Sequence, residues 1–490
     1  MRAIAALWPV LAGLAAASGQ APWNLWWLAL AGYLAGIGYV ARSAHPFWTG
    51  MLFGAAHFAL ALVWIVEPFL IDPEATAWLA PIALIGVSVG FGLFWAAAGW
   101  VGVRWLKGAV GVAVALGLAE LLRSYLLTGF PWALPGHVLI DTDALPAASL
   151  VGAHGLGIAV LLGAGLIATG RIAGVAAGAV LWAAPFVVGV ALPSAPEGAG
   201  PVLRLVQPNA PQHLKWEPDW RGVFFRRGLE ETAAATDGPP PVAVVWPETA
   251  LPELLDYSDD LRPILAEATG GVPLVIGVQR YGPDGHPRNS VALLEGPSGE
   301  VAAIHDKHRL VPFGEFLPMQ GLFDLMGIGP LASRLAGTFA AGEGPALIDV
   351  PGVGPVLPLI CYEAIFPQDI ARVDRPRAIL HLTNDAWFGR RFGPQQHLAL
   401  TRLRAAESGL PVLRAANTGI SAAIDARGTV LASLPLQVHG HLDAALPPAL
   451  PPTPYLATGD WAALITLFLL AACCVIFSGR IGVVRLPDRP

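Results

Sequence analysis

Charge is almost absent from the first 195 residues of this 490-residue chain, and that constrains its fold more than any other feature. Of 64 Asp, Glu, Lys and Arg residues, only twelve fall there. Between them run apolar stretches close to the roughly 20 residues that cross a bilayer as a helix. Seven spans are predicted, at 3–19, 23–41, 48–70, 77–102, 108–128, 148–169 and 171–192, and an eighth at 461–478. Residues 1–20 also fit a cleavable signal peptide, with Arg2, an apolar run and small residues at the end, but the six spans that follow make one unnecessary. A chain that is 55% hydrophobic and 13% charged is neither an ordinary cytosolic globule nor disordered. Its net charge of -6 offers no basic field to nucleic acid.

The Pro- and Gly-rich stretch Pro193–Gly200 marks the boundary of a membrane domain, 1–195. A polar domain, 200–450, follows, then the last span and tail, 459–490. Lys and Arg in short loops set the orientation. With the N-terminus cytoplasmic, the inner segments hold Arg2, Arg42, Arg104, Lys107, Arg171, Arg480, Arg485 and Arg489, and the outer loops hold Arg123 alone. The polar domain is then expected outside the inner membrane of a bacterium, and both termini inside.

Within 200–450, short β-branched runs alternate with helical stretches, which predicts an α/β layered domain. Strands are expected at 202–206, 242–246, 273–278, 290–294, 346–349, 356–360, 378–382, 412–415 and 421–424, and helices at 217–236, 259–268, 364–373 and 394–409. Turn signals at Pro283-Asp284-Gly285 and Gly296–Gly299 add hairpins.

Three strand ends carry reactive side chains. Val244-Val245-Trp246-Pro247-Glu248 ends in a carboxylate placed for a general base, although a capping or surface Glu fits the same pattern. His305-Asp306-Lys307-His308-Arg309 holds one of only three lysines in the chain, before an apolar run that leads to Glu315. Lys307 is a candidate oxyanion partner, and Glu315 a candidate ion partner of it. His305 and His308 read as a metal pair lack further ligands at metal-site spacing, so no metal and no cofactor is expected. Leu359-Ile360-Cys361-Tyr362-Glu363 runs a strand into a thiol and then a predicted helix, the layout of a nucleophile elbow whose next N–H, that of Tyr362, faces an oxyanion. A lone buried cysteine is otherwise a small core residue. Cys473 and Cys474 lie in the last span and read as packing residues.

Together, WPE at Glu248, DKHRLVPFGE at Lys307 and ICYE at Cys361 resemble the carbon–nitrogen hydrolase (nitrilase) superfamily, as does LTNDAWFG at 382–389. With the flanking spans and Gly129-Phe130-Pro131-Trp132, the whole chain is similar to the bacterial apolipoprotein N-acyltransferase family. His305 departs from that family's more frequent aromatic residue. The resemblance implies an α-β-β-α sandwich and a Glu248–Lys307–Cys361 triad, with Tyr362, Glu363 and Glu315 supporting the site. It implies a phospholipid acyl donor, a thioester intermediate, a diacylglyceryl apolipoprotein acceptor and a bilayer around the spans. Trp216, Asn384, Trp387, Phe388, Arg390 and Arg391 are the candidate substrate-binding residues, Arg390 and Arg391 for the lipid phosphate and Trp387 and Phe388 for its chains. A membrane-tethered amidase or nitrilase would use the same triad with water as acceptor. A transporter or receptor is disfavoured, because few ionisable residues interrupt the spans. The apolar stretch Gly321–Phe339 reads either as a loop folded into the core or as a lid resting on the bilayer.

Overall fold

The computed structural model describes residues 2–196, 198, 200–318 and 339–478, without the side chains of 2–6 and 477–478. The expected lid, Phe339 apart, lies outside the described residues. The chain divides into two compact units: Met1–Val66 with Leu79–Leu192 and Thr458–Pro490, and Glu67–Trp78 with Pro193–Ala457.

The first unit is helical. Its main helices are α1 (Arg2–Ala17), α2 (Trp26–Arg42), α3 (Pro46–Ala61), α4 (Leu79–Arg104), α5 (Ala109–Tyr125), α6 (Ala148–Ile167) and α7 (Ile172–Ala191). Among the described residues, three helical stretches are long and apolar enough to cross a membrane: Pro73–Arg104, Leu145–Ile167 and Ile172–Ala191. The predicted span 48–70 is broken, because α3 gives way to a 3-10 turn, Val63–Leu70, bent by 49°. That turn carries Glu67 and Pro68, a charge and a residue without an N–H donor. With the bent pair taken as one span, four helices qualify; Leu7–Ala17 and Trp461–Ile476 are shorter apolar helices.

Close helix packing here relies on small residues. At Gly50 on α3, an added Cβ would lie 2.5 Å from the carbonyl oxygen of Trp95 on α4. Buried between the helices is an ion pair, Arg123 Nη2 to Glu120 Oε2 at 2.5 Å. Trp95 Nε1 donates to the second Glu120 oxygen at 2.6 Å, and Arg123 also donates to the carbonyls of Phe130 and Trp132. The Gly-Phe-Pro-Trp motif is therefore tied to α5 by Arg123. Its glycine has φ +72°, and a Cβ there would meet the Ser124 carbonyl at 2.3 Å.

The second unit holds two six-stranded sheets. Its strands are β1 (Val202–Gln207), β2 (Ala243–Val245), β3 (Leu274–Tyr281), β4 (Pro287–Glu295), β5 (Glu300–Asp306), β6 (Ile348–Val350), β7 (Gly354–Ile360), β8 (Ala378–Thr383), β9 (Val412–Ala416), β10 (Ala422–Ile424), β11 (Val430–Ser433) and β12 (Gly440–Ala445). One sheet runs β12-β1-β2-β3-β4-β5 and the other β11-β10-β9-β8-β7-β6. In each, three parallel strands form the centre (β1-β2-β3 and β7-β8-β9) and antiparallel strands extend the edges. Helices α8 (Pro218–Ala233) and α9 (Arg262–Ala268) cover the first sheet, where Phe225, Leu229 and Leu265 pack with Trp246 and Ile276. Helix α10 (Gly393–Ser408) covers the second, where Ala405 packs with Leu357, Leu359 and Ile379. This is the predicted α-β-β-α sandwich. The predicted helix 364–373 is instead two 3-10 turns, Cys361–Ile365 and Pro367–Arg372, because Pro367 stops the first.

Candidate active site

Parallel strands place their C-terminal ends at one edge of a sheet, where α/β proteins gather functional side chains. Glu248 follows β2, Cys361 follows β7 and Asn384 follows β8. Lys307 immediately follows β5.

Glu248 is buried and saturated with donors. Asn289 Nδ2 donates to its Oε1 at 2.7 Å, Lys307 Nζ approaches the same oxygen at 3.3 Å, and the Asn384 backbone N–H donates to Oε2 at 2.7 Å. Lys307 Nζ also donates to Glu315 Oε1 at 2.8 Å, and Glu315 Oε2 accepts the Val311 N–H at 2.8 Å. Burial pulls the Lys307 pKa down, but Glu315 and Glu248 together outweigh it and hold the ammonium charged well above the ordinary lysine range. Two carboxylates thus surround one ammonium in this cluster.

Cys361 is buried and takes φ +50°, a left-handed conformation rare for a side-chain-bearing residue. The strand thus turns sharply into the 3-10 segment at the thiol. Burial pushes the thiol pKa up, the charge of Glu248 adds to it, and Lys307 and Thr383 pull it only partly back. The resting group is a neutral thiol that needs a base.

A buried polar network lies under the elbow. His381 Nε2 and His397 Nε2 stand 3.1 and 3.2 Å from the Cys361 carbonyl oxygen. Arg414 Nη1 donates to His381 Nδ1 at 2.8 Å, which places the His381 proton on Nε2, facing that carbonyl. His397 Nδ1 lies 2.9 Å from Asp385 Oδ1, and Arg414 Nη2 donates to Asp385 Oδ2 at 2.5 Å. Burial would raise the Asp385 pKa, yet Arg414 and His397 hold it at about 2. The charged pair fixes the ring that sits against the cysteine backbone.

The other sequence-nominated residues divide. Glu363, expected to support the site, is fully buried. Its carboxylate accepts the backbone N–H groups of His308, Arg309 and Ile360, and so ties the loop after β5 to the end of β7. Tyr362 is buried, its ring set edge-on to Phe366 at 5.1 Å. The Asn384 side chain is engaged at both ends, donating to Gln212 Oε1 and accepting from Asn417 Nδ2, and so braces the site. Phe388 is buried with its ring 5.6 Å from His397, so it belongs to the network and not to a lipid-facing surface. Trp387, Arg390 and Arg391 are exposed, as is Trp216.

Sequence reasoning missed Lys215. Buried beside Glu248, its Nζ donates to Thr249 Oγ1 at 2.7 Å and faces the Glu248 carbonyl at 3.4 Å. Burial lowers its pKa to about 8, against the opposing pull of Glu248. Lys215, Trp216, Arg221, Phe224, Glu248 and Asn417 are among the residues that line one cavity. The available signal was scarcity, since the chain has only Lys107, Lys215 and Lys307. Asn289, His381, His397 and Arg414 carried no such mark. The sequence reading also set His305 and His308 aside for want of a third ligand, whereas the fold brings Glu363 beside both.

A thiol at a left-handed strand end, a buried Glu–Lys cluster and paired sheets between helices define a catalytic domain of the carbon–nitrogen hydrolase class. The sequence profile described as "Carbon-nitrogen hydrolase" matches residues 233–450, and that of the "Apolipoprotein N-acyltransferase N-terminal domain" matches 12–166. An apolipoprotein N-acyltransferase of Caulobacter vibrioides is 37% identical, across 97% of this chain and 94% of the relative. One from Bradyrhizobium diazoefficiens is 39% identical, across 86% and 84%. The chain belongs to the apolipoprotein N-acyltransferase family. Among solved structures, a Nesterenkonia amidase is 18% identical with TM-score 0.36, over 56% of this chain and 98% of the amidase.

Proposed function

We propose that the protein transfers a fatty acyl chain from a membrane phospholipid, through a Cys361 thioester, to the N-terminal α-amine of a diacylglyceryl-cysteine lipoprotein. The observation that carries this reading is the convergence of Glu248, Lys307 and Glu315 on one buried cluster coupled to the strained, neutral thiol of Cys361. Glu248 takes the thiol proton as sulfur attacks the acyl ester carbonyl. The ammonium of Lys307 and the N–H of Tyr362 stabilise the oxyanion. The intermediate collapses, the lysophospholipid alkoxide leaves with the proton from Glu248, and the thioester remains. The lipoprotein amine then attacks the thioester, Glu248 removes its proton, and Cys361 leaves as the thiol once it regains one.

In this reading Glu315 keeps Lys307 charged and Glu363 holds the Lys307 loop against the elbow. Trp216 and Trp387 contact acyl chains, and Arg390 and Arg391 meet the phospholipid phosphate. Seven spans precede the catalytic domain and one follows it. Both termini are cytoplasmic and the catalytic domain is periplasmic, as the Lys and Arg asymmetry of the loops argues. Purified protein incubated with acyl-labelled phospholipid and a diacylated lipopeptide tests the reaction. Label in an amide on the lipopeptide is the expected result. Label released only as free fatty acid would assign the same site to a membrane-tethered hydrolase.

A further inference from the structure

His305 is the penultimate residue of β5, and its side chain is buried. Its Nε2 has no hydrogen-bond partner among the described residues. Three residues on, beyond Lys307, His308 brings Nδ1 to 2.6 Å from Glu363 Oε1, an ion pair when the imidazole is protonated. Glu363 Oε2 lies 4.0 Å from His305 Nε2. One ligand atom from each of the three residues lies within 4.8 Å of the others.

We infer that His305, His308 and Glu363 form a binding site for a divalent transition-metal cation of the zinc class, with water in the remaining position. Two imidazoles and one carboxylate are the donor set such ions take. Ligand bonds of about 2.0 Å in a tetrahedron put ligand atoms about 3.3 Å apart. His308 Nδ1 stands 2.6 Å from one Glu363 oxygen and His305 Nε2 4.0 Å from the other, with the three ligand atoms within 4.8 Å of one another, so the side chains must shift to bring one carboxylate oxygen and both nitrogens onto a common ion. The surroundings also fit. Asp369 Oδ2 sits 3.0 Å from His308 Nε2, the nitrogen turned away from the site, and is itself held by Arg309. A carboxylate on the far nitrogen of a metal-bound imidazole fixes its tautomer and raises its basicity. A cation here replaces the proton that otherwise mediates between His308 and Glu363. It joins residues on either side of Lys307 to a residue two positions past Cys361, and so clasps the two halves of the site without touching the reacting atoms.

The test uses the full-length protein in detergent, stripped with a chelator and titrated with zinc, then with cobalt as a spectroscopic probe. The expected result is one bound zinc per chain in both the wild type and Cys361→Ser. The cobalt form should show visible bands without thiolate charge transfer, and X-ray absorption should count two imidazoles. His305→Phe removes a ligand and should weaken binding by more than the roughly tenfold that loss of an outer-shell partner costs. Absence of zinc binding, unchanged binding in His305→Phe, or a thiolate band lost in Cys361→Ser would overturn the inference. The absorption measurement on wild-type protein decides it even if His305→Phe does not fold.

Discussion

Lysine 215 is retained in a place where it costs stability. Its Nζ is buried beside Glu248, and its pKa falls to about 8 from the ordinary value of 10.5. At about 1.4 kcal/mol per pH unit, that depression corresponds to about 3 kcal/mol of unfavourable burial at pH 7. Against it stands the hydrogen bond to Thr249 at 2.7 Å, worth about 1 kcal/mol net. Lys215→Met keeps the stem and removes the charge, so it should stabilise the catalytic unit by about 2 kcal/mol at pH 7. The pH dependence has a definite sign. A lysine whose folded pKa lies below its unfolded value binds fewer protons when folded, so stability rises with pH between about 8 and 10.5. The variant should lack that rise. Denaturant unfolding of the detergent-solubilised protein, followed by tryptophan fluorescence at pH 7 and pH 10, measures both effects. The same variant should lose acyl transfer, since the charge beside Glu248 is what the stability cost retains. A variant less stable than wild type at pH 7, or one with an unchanged pH slope, would mean that Lys215 is not held at a cost to stability.

Glu248→Gln keeps the hydrogen-bonding shape but not the base, and should slow thioester formation by about 10² or more in a single-turnover assay with labelled phospholipid. Asp385→Asn leaves the buried Arg414 cation without its counter-charge and should cost about 3–5 kcal/mol, read as a lowered thermal midpoint. Because burial and Glu248 hold the Cys361 thiol above its ordinary range, iodoacetamide should alkylate it slowly at pH 7. The rate should keep rising through pH 9, whereas a plateau at low pH would indicate a preformed thiolate. Reporter fusions after Pro490 and at Gly200 should read cytoplasmic and periplasmic respectively; the reverse pair would contradict the proposed topology.

The sequence was most legible where a single physical signal dominated. Val244–Glu248 and Leu359–Cys361 stood out because an apolar strand ends abruptly in a reactive side chain, and the fold places both at strand ends. Strand β5, which delivers Lys307, was legible only as a strand end after the hairpin signal at Gly296–Gly299, without bounds of its own. Its burial alternates between half-exposed and exposed until His305, so its pattern lacks an apolar face. Strands β11 and β12 were missed for the same edge-strand reason. The chain's partners in space were illegible by nature. Nothing in the spacing of His381, His397 and Arg414 indicates that they meet beneath Cys361, because each sits on a different element. The same limit hid the third side chain beside His305 and His308. Phe388 was read as contacting lipid chains from its place beside Arg390 and Arg391, and spacing gave no sign that the turn folds its ring onto His397.

The most direct test of the proposed chemistry is to trap the intermediate. Protein is incubated with phospholipid carrying a labelled acyl chain and no lipopeptide, then digested and mapped by mass spectrometry before and after neutral hydroxylamine. The acyl mass should appear on the peptide that contains Cys361, disappear with hydroxylamine, transfer to a diacylated lipopeptide added afterwards, and be absent in Cys361→Ser. Acyl label on another residue, or transfer that persists in Cys361→Ser, would contradict a thioester at Cys361.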